Sequence, residues 1–339
     1  MLRLFKRQTP LALALQGGGA HGAFTWGVLD RLLEDGRFPI AAISGTSAGA
    51  INAVALASGL LDGGNDGARA SLERLWQAIG TRVPFDAFLV GSADKPGIAP
   101  AARTWMHWAQ LLAPQLLNPL GLNPLRDVLV EQIDFERLRA QGKLRLFIAA
   151  THANSGRLRL FDNSRVDVDA VLASACLPTL QPAVMIDGEP YWDGGYSANP
   201  ALFPLVRSGI ADLLIVWLSP IVYSRSPVSV EEIRGRALDF AFNATFLREA
   251  HMLADLCAGA RQSAWPFGTL ARLRTHLIDA HDALSELPQE TKLIAHAPFL
   301  AHLRDRGRER ASAWLAEAGP RVGRSSSVDL AALFAPPGA

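Results

Sequence analysis

Residues 40–59 read IAAISGTSAGAINAVALASG: an apolar run, a turn with a serine at its tip, then a helix of small residues. Gly45-Thr46-Ser47-Ala48-Gly49 fits the G-x-S-x-G nucleophile elbow, in which a strained strand-to-helix turn lifts a serine hydroxyl above the end of a sheet. The positions two before and two after that serine crowd each other, so Gly45 and Gly49 are the residue type the turn needs. Ala48, Gly49, Ala50 and Ala53 let the following helix pack close to the strand. Its first N–H groups and its dipole favour negative charge developing near Ser47. The plainer alternative is an ordinary strand-to-helix turn with Ser47 as helix N-cap.

The preceding stretch repeats the pattern. Leu11 to Leu15 is an apolar strand, and Gly17-Gly18-Gly19-Ala20-His21-Gly22 follows at once. Ala23 to Asp35 then carries Phe24, Val28 and Leu32 at helical spacing, with Gly36 as its stop. With a second strand over Phe38 to Ser44 this is a β-α-β unit, so the two strands are expected to be parallel with a right-handed crossover. If they are neighbours, the glycine loop and the Ser47 turn face each other at the carboxyl edge of the sheet, where α/β proteins place their sites. Gly17-x-Gly19-x-x-Gly22 also matches the dinucleotide fingerprint. That use wants an acid near the end of the second strand to hold a ribose, and Ser44-Gly45-Thr46-Ser47 stands there instead. An oxyanion hole fits better, since the backbone N–H groups of Gly18, Gly19 and Ala20 are bare enough for a carbonyl oxygen to reach them.

Composition narrows the class. A net charge of +1 over 339 residues gives no reason to expect nucleic acid as a partner. Charged residues are 19%, below the usual share of about a quarter, and hydrophobic residues are 49% with a mean hydropathy of +0.15. That suits a parallel sheet buried on both faces, or an enzyme that meets lipid. Cys176 and Cys257 lack metal-ligand spacing and read as buried free thiols in a reducing compartment. Arg3, Lys6 and Arg7 precede an apolar run too short for a signal peptide, and no stretch is long enough to span a membrane. The expected location is the cytoplasm, with peripheral contact at the inner membrane surface.

Farther on, Ala68 to Ile79 reads as an amphipathic helix after a loop at Asp62 to Asp66. Residues 82–123 are broken by five prolines, and inside them Thr104 to Leu112 is an unusually apolar helix. It is either a lid or membrane-contacting cap over Ser47, or a core helix. Leu122 to Leu138 is helical, with Asn123-Pro124 as its start signal. Lys143 to Ala153 and Arg157 to Phe161 form a hairpin, Val168 to Ala175 a helix, and Val184 to Trp192 a second hairpin turning at Asp187-Gly188. That hairpin delivers Asp193-Gly194-Gly195. Leu213 to Leu218 is a further buried strand. Beyond Pro227 only helices are expected, and Arg321 onward reads as a loose tail.

Ser47 needs a base to take its proton. In Ser-His-Asp hydrolases a histidine does this, following the acid in the chain; here the histidines from His251 onward lie at ordinary helix-surface spacings. Asp193 is the stronger candidate: it comes off a strand end, two glycines behind it allow a bend, and Tyr191-Trp192 would exclude water and raise its basicity.

The three ordered motifs, GGGAHG after one strand, GTSAG after the next and DGG after a later hairpin, together resemble the patatin-like phospholipases, a family of serine–aspartate dyad acyl hydrolases. Ala173-Ser-Ala-Cys-Leu-Pro178 resembles the family's small-residue segment ending in proline. The resemblance covers about Pro10 to Leu205. It implies a three-layer α/β/α sandwich with a mainly parallel central sheet, here with a helical C-terminal extension. It also implies Ser47 as nucleophile, Asp193 as general base, and an oxyanion hole from Gly17, Gly18, Gly19 and Ala20, with Gly22, Gly45, Gly49, Gly194 and Gly195 in support. Where the family often has Arg or Lys before the loop's last glycine, this chain has His21. The implied organisation is a catalytic domain over 10–205 with 82–123 as cap or lid, a last strand and helical region over 206–320, and a tail over 321–339. The expected chemistry is hydrolysis of a lipid or acyl ester through an acyl-Ser47 intermediate, with no cofactor and no metal. A thioesterase or polyester-oligomer esterase using the same dyad, or a non-catalytic lipid-binding module, are the alternatives.

Overall fold

The structure is a computed structural model that describes residues 9–82, 89–109, 112–118, 121–223, 225–262 and 268–334. The strands are β1 (Leu11–Leu15), β2 (Ile40–Thr46), β3 (Leu89–Gly91), β4 (Pro96–Ile98), β5 (Arg145–His152), β6 (Leu158–Asp162), β7 (Val184–Ile186), β8 (Glu189–Asp193), β9 (Asp212–Trp217) and β10 (Arg274–Asp279). β3 and β4 form a small antiparallel ribbon, and the other eight build one sheet in the order β10-β9-β1-β2-β5-β8-β7, with β6 also on β5. From β10 to β5 every pairing is parallel; β6, β7 and β8 join antiparallel.

Strand alternation divides the apolar residues between two faces. Leu11, Leu13 and Leu15 of β1 join Leu214 and Val216 of β9 in one core. That core also takes Phe24, Val28 and Leu29 of α1 (Gly22–Asp35), the small-residue face of α2 (Ala48–Arg82), and the helix Ala297–Glu317. Ala12, Ala14, Leu213, Ile215 and Trp217 point the other way, onto Phe246, Ala250 and Leu253 of the long helix Val230–Gln262. Small residues on β1 leave room there for the bulk of β9. The result is the expected three-layer α/β/α sandwich, a mostly parallel sheet flanked by helices.

The region beyond Pro227 differs from its sequence reading. Residues 274–279, expected as part of a helix, are the edge strand β10, parallel to β9 in register Arg274↔Asp212 through Asp279↔Trp217. Their alternation, with Ile278 on one core and Leu277 on the other, is a strand period read as a helix. The segment from Arg321, expected to be loose, docks over its described residues. Gly323 N–H donates to Asp212 Oδ1 at 2.8 Å, Ser326 Oγ and Ser327 Oγ bond Thr275 and His276, and Leu330 is buried. Residues 122–138 are two helices, Pro124–Gln132 and Phe135–Gln141, because the Asp134 side chain accepts from Arg137 N–H and caps the second. In α2 the expected break survives as a kink at Gly63 and Gly64. Helix Pro100–Ala109 leaves Trp105 67% and Trp108 63% exposed, which excludes a core role for those two side chains.

The C-terminal helix is integral to the sandwich. It crosses α1 with Gly307 against the Phe24 carbonyl and Gly27 of α1 against the Arg304 carbonyl, so a Cβ at either glycine would overlap backbone. Alanine in a helix interior gains about 1 kcal/mol over glycine, yet here overpacking at roughly 1–3 kcal/mol opposes it. The backbone clash wins, so Gly27→Ala is expected to lower the thermal midpoint by several degrees; an unchanged midpoint would mean the helices are not in backbone contact.

Candidate active site

Pairing along β5 brings the distant motifs together. β6 covers Phe147–Thr151 on one edge of β5. β2 pairs up to Thr46↔Ala149, and β8 begins at Asp193↔Ala150. Both overlap β6 along β5, so both must use its other edge, one after the other. The end of β2, carrying Ser47, therefore meets the end of β8, carrying Asp193, head to head. Because β8 runs antiparallel to β5, its carboxyl end points back at the carboxyl end of β2, so the acid and the serine face each other at that edge of the sheet.

Ser47 sits at φ +54°, and its N–H donates to Ser174 Oγ at 2.9 Å. The crowding expected around it is present: a Cβ on Gly45 would lie 2.5 Å from the Gly49 carbonyl oxygen, and one on Gly49 would overlap the Leu15 carbonyl. Ala50 and Ile51 N–H groups donate to the Ser47 carbonyl, so α2 starts directly behind the serine. Ser47 keeps part of its surface exposed.

The glycine loop leaves β1 alongside. Gly17 is so close that a Cβ on it would come within 2.7 Å of the Ser47 Cβ. Its N–H donates to Asn199 Oδ1 at 2.8 Å, which corrects its assignment as an oxyanion donor: that hydrogen is already in use. His21 N–H is likewise committed to the Gly18 carbonyl. Among the described residues no protein acceptor takes the N–H of Gly18, Gly19 or Ala20. Gly19 holds φ +58°. Gly22, opening α1, packs against Ala48, opening α2, and draws the loop and the serine turn together.

Asp193 is 1% exposed. Burial pushes its carboxyl up from 3.8 to about 7, against the N–H of Gly195, which donates to Oδ1 at 2.7 Å, and against the neighbouring Ser47 side chain, both of which favour the charged form. Its backbone is held at both ends: its N–H donates to the Cys176 carbonyl at 2.8 Å, and its carbonyl accepts from Thr151 Oγ1 at 2.8 Å. Gly194 lies against the Ala149 carbonyl, and Gly195 against the Phe242 ring. Phe242 in turn meets Tyr196 edge-on at 4.7 Å. Water exclusion beside Asp193 thus comes from residues after it as well as from Tyr191, which is buried against Phe161.

Three histidines are tied elsewhere. His21 Nε2 bonds Thr291 Oγ1 at 2.7 Å; burial, then the Lys292 charge, push it down to about 3, so it is neutral near pH 7. His152 bonds Ser155 and Glu189. His276 bonds Ser327 and Asp212, and Asp212 starts β9, at the opposite end of the sheet from Ser47. Three site residues were not singled out from sequence: Ser174, inside the small-residue segment; Asn199, in the loop after DGG; and Thr291, for which nothing local gave a signal.

These features define a three-layer α/β/α protein with a G-x-S-x-G turn, a glycine loop and a buried aspartate at the carboxyl edge of its sheet. The family model described as patatin-like phospholipase matches residues 13–206, more than half of the chain, and the chain belongs to that family of hydrolases. Among solved structures it is similar to VipD from Legionella pneumophila, at 15% identity and TM-score 0.37, covering 87% of this chain and 66% of that one. It is also similar to ExoU in its complex with SpcU from Pseudomonas aeruginosa, at 18% identity and TM-score 0.32, covering 93% of this chain and 52% of that one. The chain thus spans about half to two thirds of those chains' length. No curated protein sequence gives a match.

Proposed function

We propose that the chain is a lipid acyl hydrolase, a phospholipase or esterase, working through a Ser47–Asp193 dyad. Asp193 takes the Ser47 proton as Oγ attacks the ester carbonyl, and the resulting oxyanion rests on the N–H groups of Gly18, Gly19 and Ala20. The alcohol leaves with the proton from Asp193. Water, deprotonated by Asp193, then attacks acyl-Ser47; the fatty acid departs as Asp193 returns the proton to Ser47 Oγ. The observation that carries this reading is the meeting of Ser47 with a buried aspartate tuned to about 7, a value suited to a base near neutral pH. Family membership supports lipid esters as the substrate class. The test is release of fatty acid from phospholipid vesicles and of nitrophenol from p-nitrophenyl butyrate. Both are expected from the wild type and neither from Ser47→Ala; turnover surviving in that variant refutes the nucleophile.

The described part of residues 82–123 is assigned as a cap that contacts the lipid surface, because helix Pro100–Ala109 turns Trp105 and Trp108 outward, the residue type that settles at bilayer interfaces. No helix among the described residues is long and apolar enough to cross a membrane, so this contact would be peripheral. Replacing both tryptophans by alanine is expected to reduce vesicle hydrolysis about tenfold, equivalent to about 1.4 kcal/mol of surface binding, and to leave p-nitrophenyl butyrate hydrolysis intact. Equal losses on both substrates would contradict a surface role.

A further inference from the structure

The dyad and its glycine loop lie within residues 13–206, yet the loop rests on a segment more than eighty residues beyond that match. We propose that the short 3₁₀ segment Gln289–Leu293 is a strap that sets the position of the oxyanion donors, with Thr291 and Lys292 as positioning residues. The inference rests on the catalytic reading above.

The contacts fall on both sides of the donors. Gly19 packs directly on the Lys292 carbonyl, so closely that a Cβ on the glycine would overlap that oxygen. Two residues on, the His21 ring is buried and its Nε2 stands 2.7 Å from Thr291 Oγ1. The Thr291 hydroxyl spends its single proton on the Pro288 carbonyl at 2.6 Å, so toward His21 it can only accept. His21 is therefore the donor, with the proton on Nε2. The donors Gly18, Gly19 and Ala20 are thus fixed by Asn199 on Gly17 at one end, and by the strap beneath Gly19 and behind His21 at the other.

The strap is itself anchored in two directions. Lys292 Nζ reaches Asp239 Oδ1 at 2.6 Å, and Gln289 Nε2 reaches Asp239 Oδ2 at 2.5 Å. Asp239 is a buried residue of helix Val230–Gln262 that also accepts from Tyr223 OH. On the other side Glu290 accepts from Arg103 at 2.6 Å, at the base of the helix that exposes Trp105 and Trp108. A loop of glycines has little rigidity of its own. Preorganised donors are what make an oxyanion hole effective, and here the rigidity comes from the C-terminal third of the chain.

The test compares Thr291→Val, which keeps the shape and loses the acceptor, with Thr291→Ser, which restores it, and with Lys292→Met, which releases the strap from Asp239. Two readings are taken. Amide hydrogen exchange follows His21 and Gly22, whose N–H groups close the loop, against Ala50 and Ile51, whose N–H groups hold the serine turn. Hydrolysis of p-nitrophenyl butyrate gives kcat and KM separately. In Thr291→Val and Lys292→Met, His21 and Gly22 are expected to exchange about fivefold faster or more, with Ala50 and Ile51 unchanged. Turnover is expected to fall about tenfold, short of the roughly 10²–10³ for outright loss of a donor, with KM held within about twofold. Thr291→Ser should recover both readings. Unchanged exchange, a loss falling on KM alone, or no rescue by serine would overturn the strap. Were the wild-type chain itself inactive on esters, the catalytic reading would fail instead, and the exchange rates alone would decide the strap.

Discussion

Asp193→Asn is expected to reduce ester hydrolysis by about 10²–10⁴-fold, the range that general acid–base catalysis contributes, while making the protein more stable above pH 7. Both effects come from burial. The carboxyl rises from 3.8 to about 7 because the folded chain removes it from water. Between those two values the folded protein holds a proton that the unfolded chain has released. Stabilisation from the protonated form is complete below about pH 3.8, declines across 3.8 to 7, and is gone above 7; the total is up to about 4 kcal/mol. Asparagine stays neutral throughout and can still accept from Gly195 N–H. The thermal midpoint of the variant should therefore pull ahead of the wild type as pH rises through that window, and level off above it. Wild-type kcat/KM should rise with pH through about 7, as its base ionises. An active Asp193→Asn protein beside an inactive C-terminal histidine variant would assign the base to a Ser-His-Asp arrangement instead.

Ser47→Gly is expected to abolish turnover, by about 10⁴-fold or more for a lost nucleophile, and to fold more tightly than Ser47→Ala. Ser47 is one of two described non-glycine residues with positive φ; the other, Asp187, sits in an exposed hairpin turn. Holding a side chain at φ +54° costs on the order of 1–3 kcal/mol, which alanine keeps and glycine relieves. Glycine's greater freedom in the unfolded chain returns roughly 0.5–1 kcal/mol of that. A net advantage of about 1 kcal/mol over Ser47→Ala should remain, measured by urea unfolding. Equal stability of the two variants would mean that the turn stores no strain.

The parts readable from sequence were those whose cause is local. G-x-S-x-G needs its glycines because Gly45 and Gly49 collide within one turn, and the β1 and β2 patterns carry their own period and stops. DGG delivered Asp193 because a hairpin turn precedes it. What sequence did not show depends on partners far along the chain. Asn199 claims Gly17 N–H across 182 residues, and Thr291 holds His21 across 270. β10 was hidden because Arg274 and His276, polar residues on a strand, are satisfied by Asp212 of β9 and by the returning C-terminal segment, partners no local window contains. The same pairing explains why residues 321–334 dock: Asp212 is buried and takes Gly323 N–H as well as Arg274.

The central claim is that Asp193 activates Ser47, and reaction with a fluorophosphonate probe tests it most directly. A single phosphonylated residue, Ser47, is expected, formed at a rate that climbs with pH to a plateau with an apparent midpoint near 7. In Asp193→Asn that reaction should slow by orders of magnitude and lose the midpoint. An unmodified Ser47 in folded wild-type protein, or one that reacts equally well without the aspartate, would contradict it.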